Sequence, residues 1–140
     1  MPHSHHVADV MTRDPDTVQL GQPLSEVYVL LQNRNIHHVP VVDGSAPVGI
    51  ISSKDILSLV YDVDSADDRA LRTYLDHQFT LEDAMSTALV TVRHDAPLLA
   101  AVEHMYDGSI HSVLVLDDDG ELEGIVTSTD LIRTLGDLIT

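Results

Sequence analysis

The sequence predicts a mixed α/β (α+β) fold made of two tandem units, each with the element order β-α-β-β-α. Three observations lead to this prediction. The first half of the chain recurs in the second half, which is the signature of a duplicated structural unit. In each half, short β-branched runs alternate with apolar stripes at helical spacing. The chain has 140 residues, of which 44% are hydrophobic, and no cysteine. A core can therefore form without a disulfide or a cysteine-bound metal.

The repeat becomes visible when residues 9–43 are placed on residues 83–117, an offset of 74. Eleven positions are then identical, and they include Asp9, Met11, Thr17, Pro23, Ile36 and His37 with their partners Asp83, Met85, Thr91, Pro97, Ile110 and His111. One residue is inserted in the following turn, and at an offset of 75 Gly49, Ile50, Ser53 and Asp55 fall on Gly124, Ile125, Ser128 and Asp130.

Each repeat opens with a short β segment, at residues 17–20 and 90–92. Pro23 and Pro97 then suit the first turn of a helix, where a missing N–H costs nothing. Apolar stripes follow on these two helices, at Leu24, Val27, Leu30 and Leu31 in the first and at Leu98, Ala101, Val102 and Met105 in the second. Two strands joined by a turn come next, at residues 39–42 and 48–51 in the first repeat and at 113–116 and 122–126 in the second. A helix after Ser52 or Thr127 closes each repeat.

Residues 62–79 connect the repeats and are typical of an acidic loop that leads into a helix, with Ser65 or Asp67 as the N-cap. Leu71, Tyr74 and Leu75 would form its apolar face. We expect a connector helix between the units, and a partner-docking helix is the alternative. The predicted divisions are a flexible, histidine-containing N-terminus (1–6), unit 1 (7–61), the connector (62–79) and unit 2 (80–140).

Charge restricts the function. Acidic residues number 23 and basic ones 7, which gives a net charge of −16. Such a chain repels phosphate backbones and anionic bilayers, so nucleic acid and membrane are not expected partners. No apolar run approaches the ~20 residues of a membrane helix, and the N-terminus lacks a signal peptide's apolar region. We therefore expect a cytoplasmic protein.

The clearest local motif is Gly-Ile-Ile/Val-Ser/Thr-x-x-Asp, at residues 49–55 and again at 124–130. A Ser or Thr followed three residues later by an acid, just after a strand, is typical of a capping box. The same geometry favours a nucleotide clamp, in which backbone N–H groups and a hydroxyl face a phosphate and the Asp accepts from ribose hydroxyls. In that interpretation the glycine leaves room for a base or for backbone. The spacing alone leaves both interpretations open.

Two β-α-β-β-α units that open near Asp-x-Met-Thr/Ser and close with this motif resemble a CBS-domain pair, or Bateman module. The stretch His-His-Val-Pro-Val-Val-Asp at residues 37–43 is similar to the family's signature before its hairpin. The resemblance covers about residues 7–136. It implies a pseudo-twofold axis and two clefts between the units, which in the family often bind AMP, ADP, ATP or S-adenosylmethionine. It also implies a homodimer that regulates an unknown partner.

The resemblance also implies a set of nucleotide-binding residues. Asp55 and Asp130 would hold ribose hydroxyls, while Ser52, Thr127 and Thr129 would meet phosphate or ribose. Thr17, Val18, Thr91 and Val92 would face the base, and His37 and His111 would approach phosphate, with His38 and Lys54 beside the first site.

This chain departs from the family pattern at Ser112, where nucleotide-binding members often have a basic residue, and at Leu114, where the first repeat has Pro40. Positive charge is scarce, so we expect a monophosphate or a lightly charged adenosyl ligand rather than ATP, which would need Mg²⁺. The first repeat should be the better site. No cofactor is required and none of the catalytic motifs considered occurs, so we expect no enzyme.

Two other interpretations of the whole chain stay open: a ligand-free dimerisation module, and a metal-responsive regulatory fragment of a transporter or enzyme. His3, His5 and His6 are suited to Ni²⁺, Cu²⁺ or Zn²⁺, although a frayed terminus explains them more simply. The acidic run at residues 117–119 is more typical of a solvated turn than of a cation site.

Overall fold

A computed structural model describes residues 5–61, 63 and 67–140 of the chain. The first part of this structure consists of α1 (Val7–Val10), β1 (Thr12–Arg13), β2 (Val18–Gln19), α2 (Ser25–Arg34), β3 (His38–Asp43), β4 (Ala46–Ser52), α3 (Ser53–Val60) and α4 (Asp68–Gln78). The second part consists of α5 (Leu81–Ala84), β5 (Thr91–Arg93), α6 (Leu98–His104), β6 (Ser112–Leu116), β7 (Leu122–Thr127) and α7 (Ser128–Ile139). The predicted mixed α/β fold with two tandem β-α-β-β-α units is confirmed.

The chain forms two compact units, each with its own sheet. The central unit is Asp16–Ala88, and the terminal unit combines the stretch that ends at Pro15 with Leu89–Thr140. The central sheet has the order β2-β3-β4, and the terminal sheet has the order β1-β7-β6-β5. In both sheets a parallel pair (β2 with β3, β5 with β6) is followed by an antiparallel hairpin (β3 with β4, β6 with β7). The duplication seen in the sequence is therefore also a duplication of strand topology.

The compact units differ from the contiguous repeats because the opening segment of each repeat packs with the other repeat. In the terminal unit, Thr12 of β1 lies opposite Ile125 of β7. At the equivalent place in the central unit, Ser86 forms a bridge with Ile50. Each opening helix supplies a fully buried anchor, Val7 for α1 and Leu81 for α5. Burying an apolar side chain of this size contributes about 1.5–3 kcal/mol, which fixes the exchanged segment.

The repeated glycine is explained by this exchange. A Cβ atom at Gly124 would lie 2.6 Å from Met11 Sδ and 2.8 Å from the carbonyl oxygen of Thr12. A Cβ atom at Gly49 would overlap the Met85 side chain, with Cγ at 2.8 Å. The space in front of each glycine is thus filled by the methionine of an Asp-x-Met motif, and at Gly124 the Thr12 backbone shares it. The predicted room for backbone is therefore confirmed at Gly124, while at Gly49 a side chain takes the space.

Each unit has one apolar core. The predicted stripe on α2 is confirmed, since Leu24 and Val27 are buried in the central core and Leu30 and Leu31 pack against it. The stripe on α6 is also present, with Ala101 buried in the terminal core. The central core further includes Val39, Val41, Ile51, Leu75 and Leu81, and the terminal core includes Val7, Met11, Val113, Val115 and Val126.

The prolines lie slightly earlier than predicted. Pro97 is the N-cap of α6 with φ −67° and ψ 147°, and Pro23 precedes Leu24, the N-cap of α2. Both positions still exploit the fixed φ of proline before a helix. The two predicted turns are confirmed by Gly44 and Gly120, whose φ angles of +68° and +79° a side chain would resist.

The predicted connector helix is α4, and it belongs to the central unit. Asp67 caps it by accepting from the Arg69 N–H at 2.9 Å, while the other candidate cap, Ser65, lies outside the described residues. Leu75 is buried in the central core. Asp76 of α4 in turn accepts from the N–H and the hydroxyl of Ser25, at 2.8 and 2.7 Å, and so fixes the start of α2.

His5 and His6, which the sequence analysis placed in a flexible N-terminus, contact the terminal unit. The carbonyl oxygen of His5 accepts from the Leu98 N–H at 2.7 Å, and His6 is the N-cap of α1. Both residues therefore belong to the terminal unit, while His3 lies outside the described residues. Among the helices of the described ranges, none is long and apolar enough to cross a membrane.

Candidate functional site

Two equivalent polar turns end the hairpins, one in each compact unit. We call residues 52–55 the Ser52 turn and residues 127–130 the Thr127 turn. The Asp55 N–H donates to Ser52 Oγ at 3.2 Å, and the Ser52 N–H donates to Asp55 Oδ2 at 2.8 Å. In the second turn the Asp130 N–H donates to Thr127 Oγ1 at 3.2 Å, and the Thr127 N–H donates to Asp130 Oδ2 at 2.9 Å. Both are complete capping boxes, as the spacing predicted.

These bonds use most of the backbone donors that a phosphate would need. The Ser53 N–H donates to the carbonyl oxygen of His37 at 2.9 Å, and the Ser128 N–H donates to that of His111 at 3.0 Å. Within the described residues, the Lys54 and Thr129 N–H groups are the turn amides left without a partner. The turns therefore offer fewer free donors to an anion than a helix N-terminus normally does.

The two turns differ in the carboxylate oxygen that is left for a ligand. Asp55 Oδ1 accepts no hydrogen bond from the described residues. Asp130 Oδ1 accepts from Arg133 Nη1 at 3.4 Å. A carboxylate oxygen can accept more than one hydrogen bond, so Asp55 can cap its helix and accept from a ligand hydroxyl, whereas Asp130 would accept from that hydroxyl and from Arg133 together.

Each sheet brings further predicted site residues to the strand end at which its turn lies. His38, at the start of β3, lies opposite Ser52, at the end of β4. Ser112 lies opposite Thr127 in the terminal sheet. Thr17 immediately precedes β2, and Thr91 begins β5. Strand β2 runs parallel to β3, and strand β5 runs parallel to β6. The sheet topology therefore brings the residues at the strand starts, the histidines and the turn residues of each unit towards one end of its strands.

The two valines predicted to face the base offer backbone rather than side chain, whereas Thr17 is half-buried and Thr91 is exposed. Val18 is only 2% exposed and belongs to the central core, and Val92 packs against the terminal core. Their strands, β2 and β5, are edge strands, so one side of each backbone has no strand partner in the described structure. Edge N–H and C=O groups are suited to pairing with the donors and acceptors of a base.

The two turns differ in charge and exposure. Lys54 and His37 are exposed beside the Ser52 turn, and His38 is half-buried. The equivalent of Lys54 in the Thr127 turn is Thr129, and Asp130 is buried at 7% exposure. Arg133, one helical turn further along α7, is paired with Asp130 itself. An incoming anion therefore meets an exposed ammonium group at the Ser52 turn and an already paired guanidinium at the Thr127 turn.

Two further capping boxes, at the opening helices, were missed by sequence reasoning. The Thr80 N–H donates to Asp83 Oδ2 at 2.8 Å, and the His6 N–H donates to Asp9 Oδ2 at 2.9 Å. The signal was the Thr-x-x-Asp at residues 80–83, which matches the turn motif without its preceding strand. The Asp of Asp-x-Met thus caps the opening helix, while the Met packs on the glycine.

The described residues contain no cluster of three or more His, Asp or Glu side chains that could hold a metal ion. In the acidic run at residues 117–119, one Asp117 oxygen instead accepts from the Asp119 and Glu121 N–H groups at 2.9 Å each. This supports the interpretation of that run as a turn.

Known proteins resemble this chain in both structure and sequence. The solved CBS domain pair of protein MJ0100, in complex with 5′-methylthioadenosine and S-adenosyl-L-methionine, is 29% identical, has a TM-score of 0.79 and covers 96% of this chain and 98% of that one. A putative acetoin utilization protein (AcuB) from Vibrio cholerae is 27% identical, with a TM-score of 0.79 and coverages of 98% and 94%.

Curated relatives are longer proteins. Homoserine O-acetyltransferase of Methanohalobium evestigatum is 30% identical over 131 residues, which are 93% of this chain and 24% of that protein. Inosine-5′-monophosphate dehydrogenase of Chlorobaculum parvum is 29% identical over 134 residues, 91% of this chain and 25% of that protein. The chain spans about a quarter of the length of these relatives. The family model of the CBS domain matches residues 7–62 and 81–137. The chain therefore belongs to the CBS domain family, with two CBS units in tandem.

Proposed function

We propose that this chain is a non-catalytic regulatory module whose two polar turns bind adenosine-type ligands. The observation that carries the proposal is the duplicated strand-end turn, in which Asp55 and Asp130 each cap a helix through one carboxylate oxygen. The second oxygen of Asp55 has no donor among the described residues and can accept from a ribose, while that of Asp130 already accepts from Arg133. The MJ0100 domain pair, 29% identical, supports it because that protein binds 5′-methylthioadenosine and S-adenosyl-L-methionine. AMP, ADP, ATP and S-adenosylmethionine are the candidate ligands.

The two turns should prefer ligands of different charge. At the Ser52 turn, the exposed ammonium group of Lys54 supplies positive charge for one phosphate, and His37 and His38 lie beside it as possible hydrogen-bond partners. At the Thr127 turn the guanidinium of Arg133 is already paired with Asp130, which favours an uncharged or cationic adenosyl ligand. ATP would bring more negative charge to a chain of net charge −16 and would need Mg²⁺ to offset it.

Ligand binding would act by shifting a conformational population. A ligand that bridges a turn and the neighbouring edge strand stabilises the arrangement that it binds best. The regulated protein is unknown. Because the curated relatives are longer chains, a catalytic or transport domain in a larger assembly is a reasonable partner, and a cytoplasmic location remains our prediction.

Isothermal titration and thermal unfolding with AMP, ADP, ATP, S-adenosylmethionine and NADH test the proposal. A ligand at one hundred times its Kd stabilises the folded chain by about 2.7 kcal/mol, so one of the first four should raise the Tm clearly. Asp55→Asn should remove the response at the Ser52 turn, and Asp130→Asn at the Thr127 turn.

The matched control is Asp83→Asn. Asp83 makes the same capping box at α5, but no strand end precedes it. It should lower stability as the other two variants do and leave ligand binding intact. If no adenosyl ligand changes the Tm at millimolar concentration, the chain is instead a ligand-free dimerisation module.

A homodimer is the second part of the proposal. The final helix of each repeat exposes apolar side chains, with Leu57 at 63% and Tyr61 at 81% at α3 and its C-cap, and Ile132 at 69% and Leu135 at 56% on α7. Helices with an uncovered apolar stripe usually bury it against a partner. Light scattering should give twice the 15.3 kDa chain mass, and Ile132→Glu should shift it to the monomer. A wild-type monomer at high concentration would contradict this part alone.

A further inference from the structure

A cluster of charged side chains lies in the terminal unit, at the opposite end of its strands from the Thr127 turn. His94 follows β5, and its Nε2 lies 3.1 Å from Asp118 Oδ1 in the turn between β6 and β7. Its Nδ1 lies 3.8 Å from Glu123 Oε2 on β7. The charged groups that act on this imidazole are Asp95, Asp118 and Glu123. These carboxylates are in turn paired with Arg13 on β1 and Arg93 on β5.

Glu123 joins the cluster to the opening segment (residues 5–15). Arg13 Nη1 donates to Glu123 Oε1 at 3.3 Å, and the Asp14 N–H donates to the Glu123 carbonyl oxygen at 3.2 Å. The other carboxylate oxygen, Oε2, is buried and has no hydrogen-bond partner within the described residues. His94 is the group that faces it. A buried carboxylate oxygen without a donor is costly, and a nearby proton donor relieves that cost.

The charges of the cluster balance only when His94 is protonated. Three carboxylates, Asp95, Asp118 and Glu123, face two guanidinium groups, Arg13 and Arg93. The hydrogen bond with Asp118 raises the pKa of His94, and the negative charges of Glu123, Asp118 and Asp95 raise it further against the effect of desolvation. The same bond, together with Arg93, lowers the pKa of Asp118.

We propose that protonation of His94 is a latch that tightens the attachment of the opening segment to the sheet of the terminal unit. The imidazolium donates to Asp118 and places positive charge against the buried oxygen of Glu123, which leaves Glu123 held from both sides. A histidine whose pKa is raised on folding stabilises the folded chain fully below its unfolded value of 6.5. That stabilisation is lost as the pH rises through the folded-state pKa.

The central unit has no such set of charges, although it receives its own opening segment. The positions equivalent to Arg13, Arg93, His94 and Glu123 are occupied by uncharged residues, namely Thr87, Gln19, Leu20 and Val48. There, Gln19 instead exchanges two hydrogen bonds with the backbone of Gly44, at 2.9 and 3.1 Å. The pH response is therefore specific to one unit, and the other unit serves as an internal reference.

The latch adjoins the candidate Thr127 turn through β7. Met11, in the opening segment, packs on Gly124, which follows Glu123 and stands three residues before Thr127. A tighter opening segment would hold β7 and the turn at its end more firmly. The latch itself rests on the contacts around His94 and does not require that the turn bind a ligand.

Hydrogen–deuterium exchange on the full chain tests the proposal. Exchange of residues 5–15 is compared with that of residues 80–88, the equivalent segment of the central unit, at pH 5.5 and 8.5 after correction for intrinsic rates. Protection of residues 5–15 should fall roughly threefold more than that of residues 80–88 on raising the pH, the size expected for an exposed ion-pair cluster.

His94→Gln should remove this difference. His104→Gln, which changes an exposed histidine on α6 of the same unit, should preserve it. Asp118→Asn should lower the His94 pKa measured by NMR and move the midpoint of the exchange change to lower pH. The latch is ruled out if the two segments respond equally to pH, or if His94→Gln or Asp118→Asn leaves the response unchanged.

Discussion

The Ser52 turn and the Thr127 turn share their backbone geometry and differ in what surrounds it. Each has the same two capping-box bonds, the same bond from the following N–H to a histidine carbonyl, and the same glycine–methionine contact. Of the two, the Ser52 turn has a lysine, and the Thr127 turn has a buried Asp paired with an arginine. The two copies have thus kept the bonds that fold the turn and differ in the charged side chains around it.

The largest expected difference between the two units is the loss of unfolding free energy when the repeated glycine is replaced by alanine. Gly124→Ala should cost about 1–3 kcal/mol of unfolding free energy, because the new Cβ meets the Thr12 backbone, which cannot move away without disturbing β1. Gly49→Ala should cost roughly half as much, since its new Cβ meets the Met85 side chain, which can adopt another rotamer.

Urea unfolding of the two variants measures this difference, and Gly136→Ala provides the control. Gly136 lies in α7, and a Cβ atom added there would meet no heavy atom of the described residues within 4 Å. Alanine at this position should stabilise the helix by a few tenths of a kcal/mol to about 1 kcal/mol. Equal costs at Gly49 and Gly124 would mean that the opening segment adjusts as easily in one unit as in the other.

The capping hydroxyls should give the next largest effect. Thr127→Ala should cost about 2 kcal/mol and Ser52→Ala about 1 kcal/mol, at the upper end and middle of the range for N-caps. The reason is burial: Asp130 is 7% exposed, and Thr127 Oγ1 also lies within 3.1 Å of its Oδ2. Thr80→Ala, at the exposed capping box of α5, should cost least, and a reversed order in thermal unfolding would contradict this account.

The sequence alone predicted the repeat, which is visible by comparing the two halves, and it predicted the capping boxes of the Ser52 and Thr127 turns and the turns around Gly44 and Gly120, because these depend on residues close together in the chain. It did not predict the exchange of opening segments. That exchange depends on pairing Thr12 with Ile125, and a strand of two residues carries no periodic signal. For the same reason it did not identify which groups lie against the glycines, since Met11 and Met85 reach them from the other repeat. The cluster around His94 could not be predicted from the sequence either, because its members come from four separate segments of the chain.

The smallest predicted effect concerns the charge difference between the two turns and its consequence for ligand binding. Lys54→Thr makes the Ser52 turn resemble the Thr127 turn, in which Thr129 stands at that position. If the proposed function holds, AMP affinity at the Ser52 turn should fall by a factor of about 1.4 to 5, as expected for one exposed charge–charge contact of about 0.2–1 kcal/mol. Binding of uncharged 5′-methylthioadenosine should not change, because no phosphate faces the lost ammonium group.

Thr129→Lys is the reciprocal variant, and it should strengthen AMP binding at the Thr127 turn by a smaller factor. The new ammonium group would sit near Asp130, whose negative charge would compete with the phosphate for it. Isothermal titration at about 0.05 M and about 0.5 M salt separates charge from shape, since screening should erase both effects at the higher concentration. Equal weakening of AMP and 5′-methylthioadenosine by Lys54→Thr would show instead that the lysine stem supports the turn, and that its charge does not select the ligand.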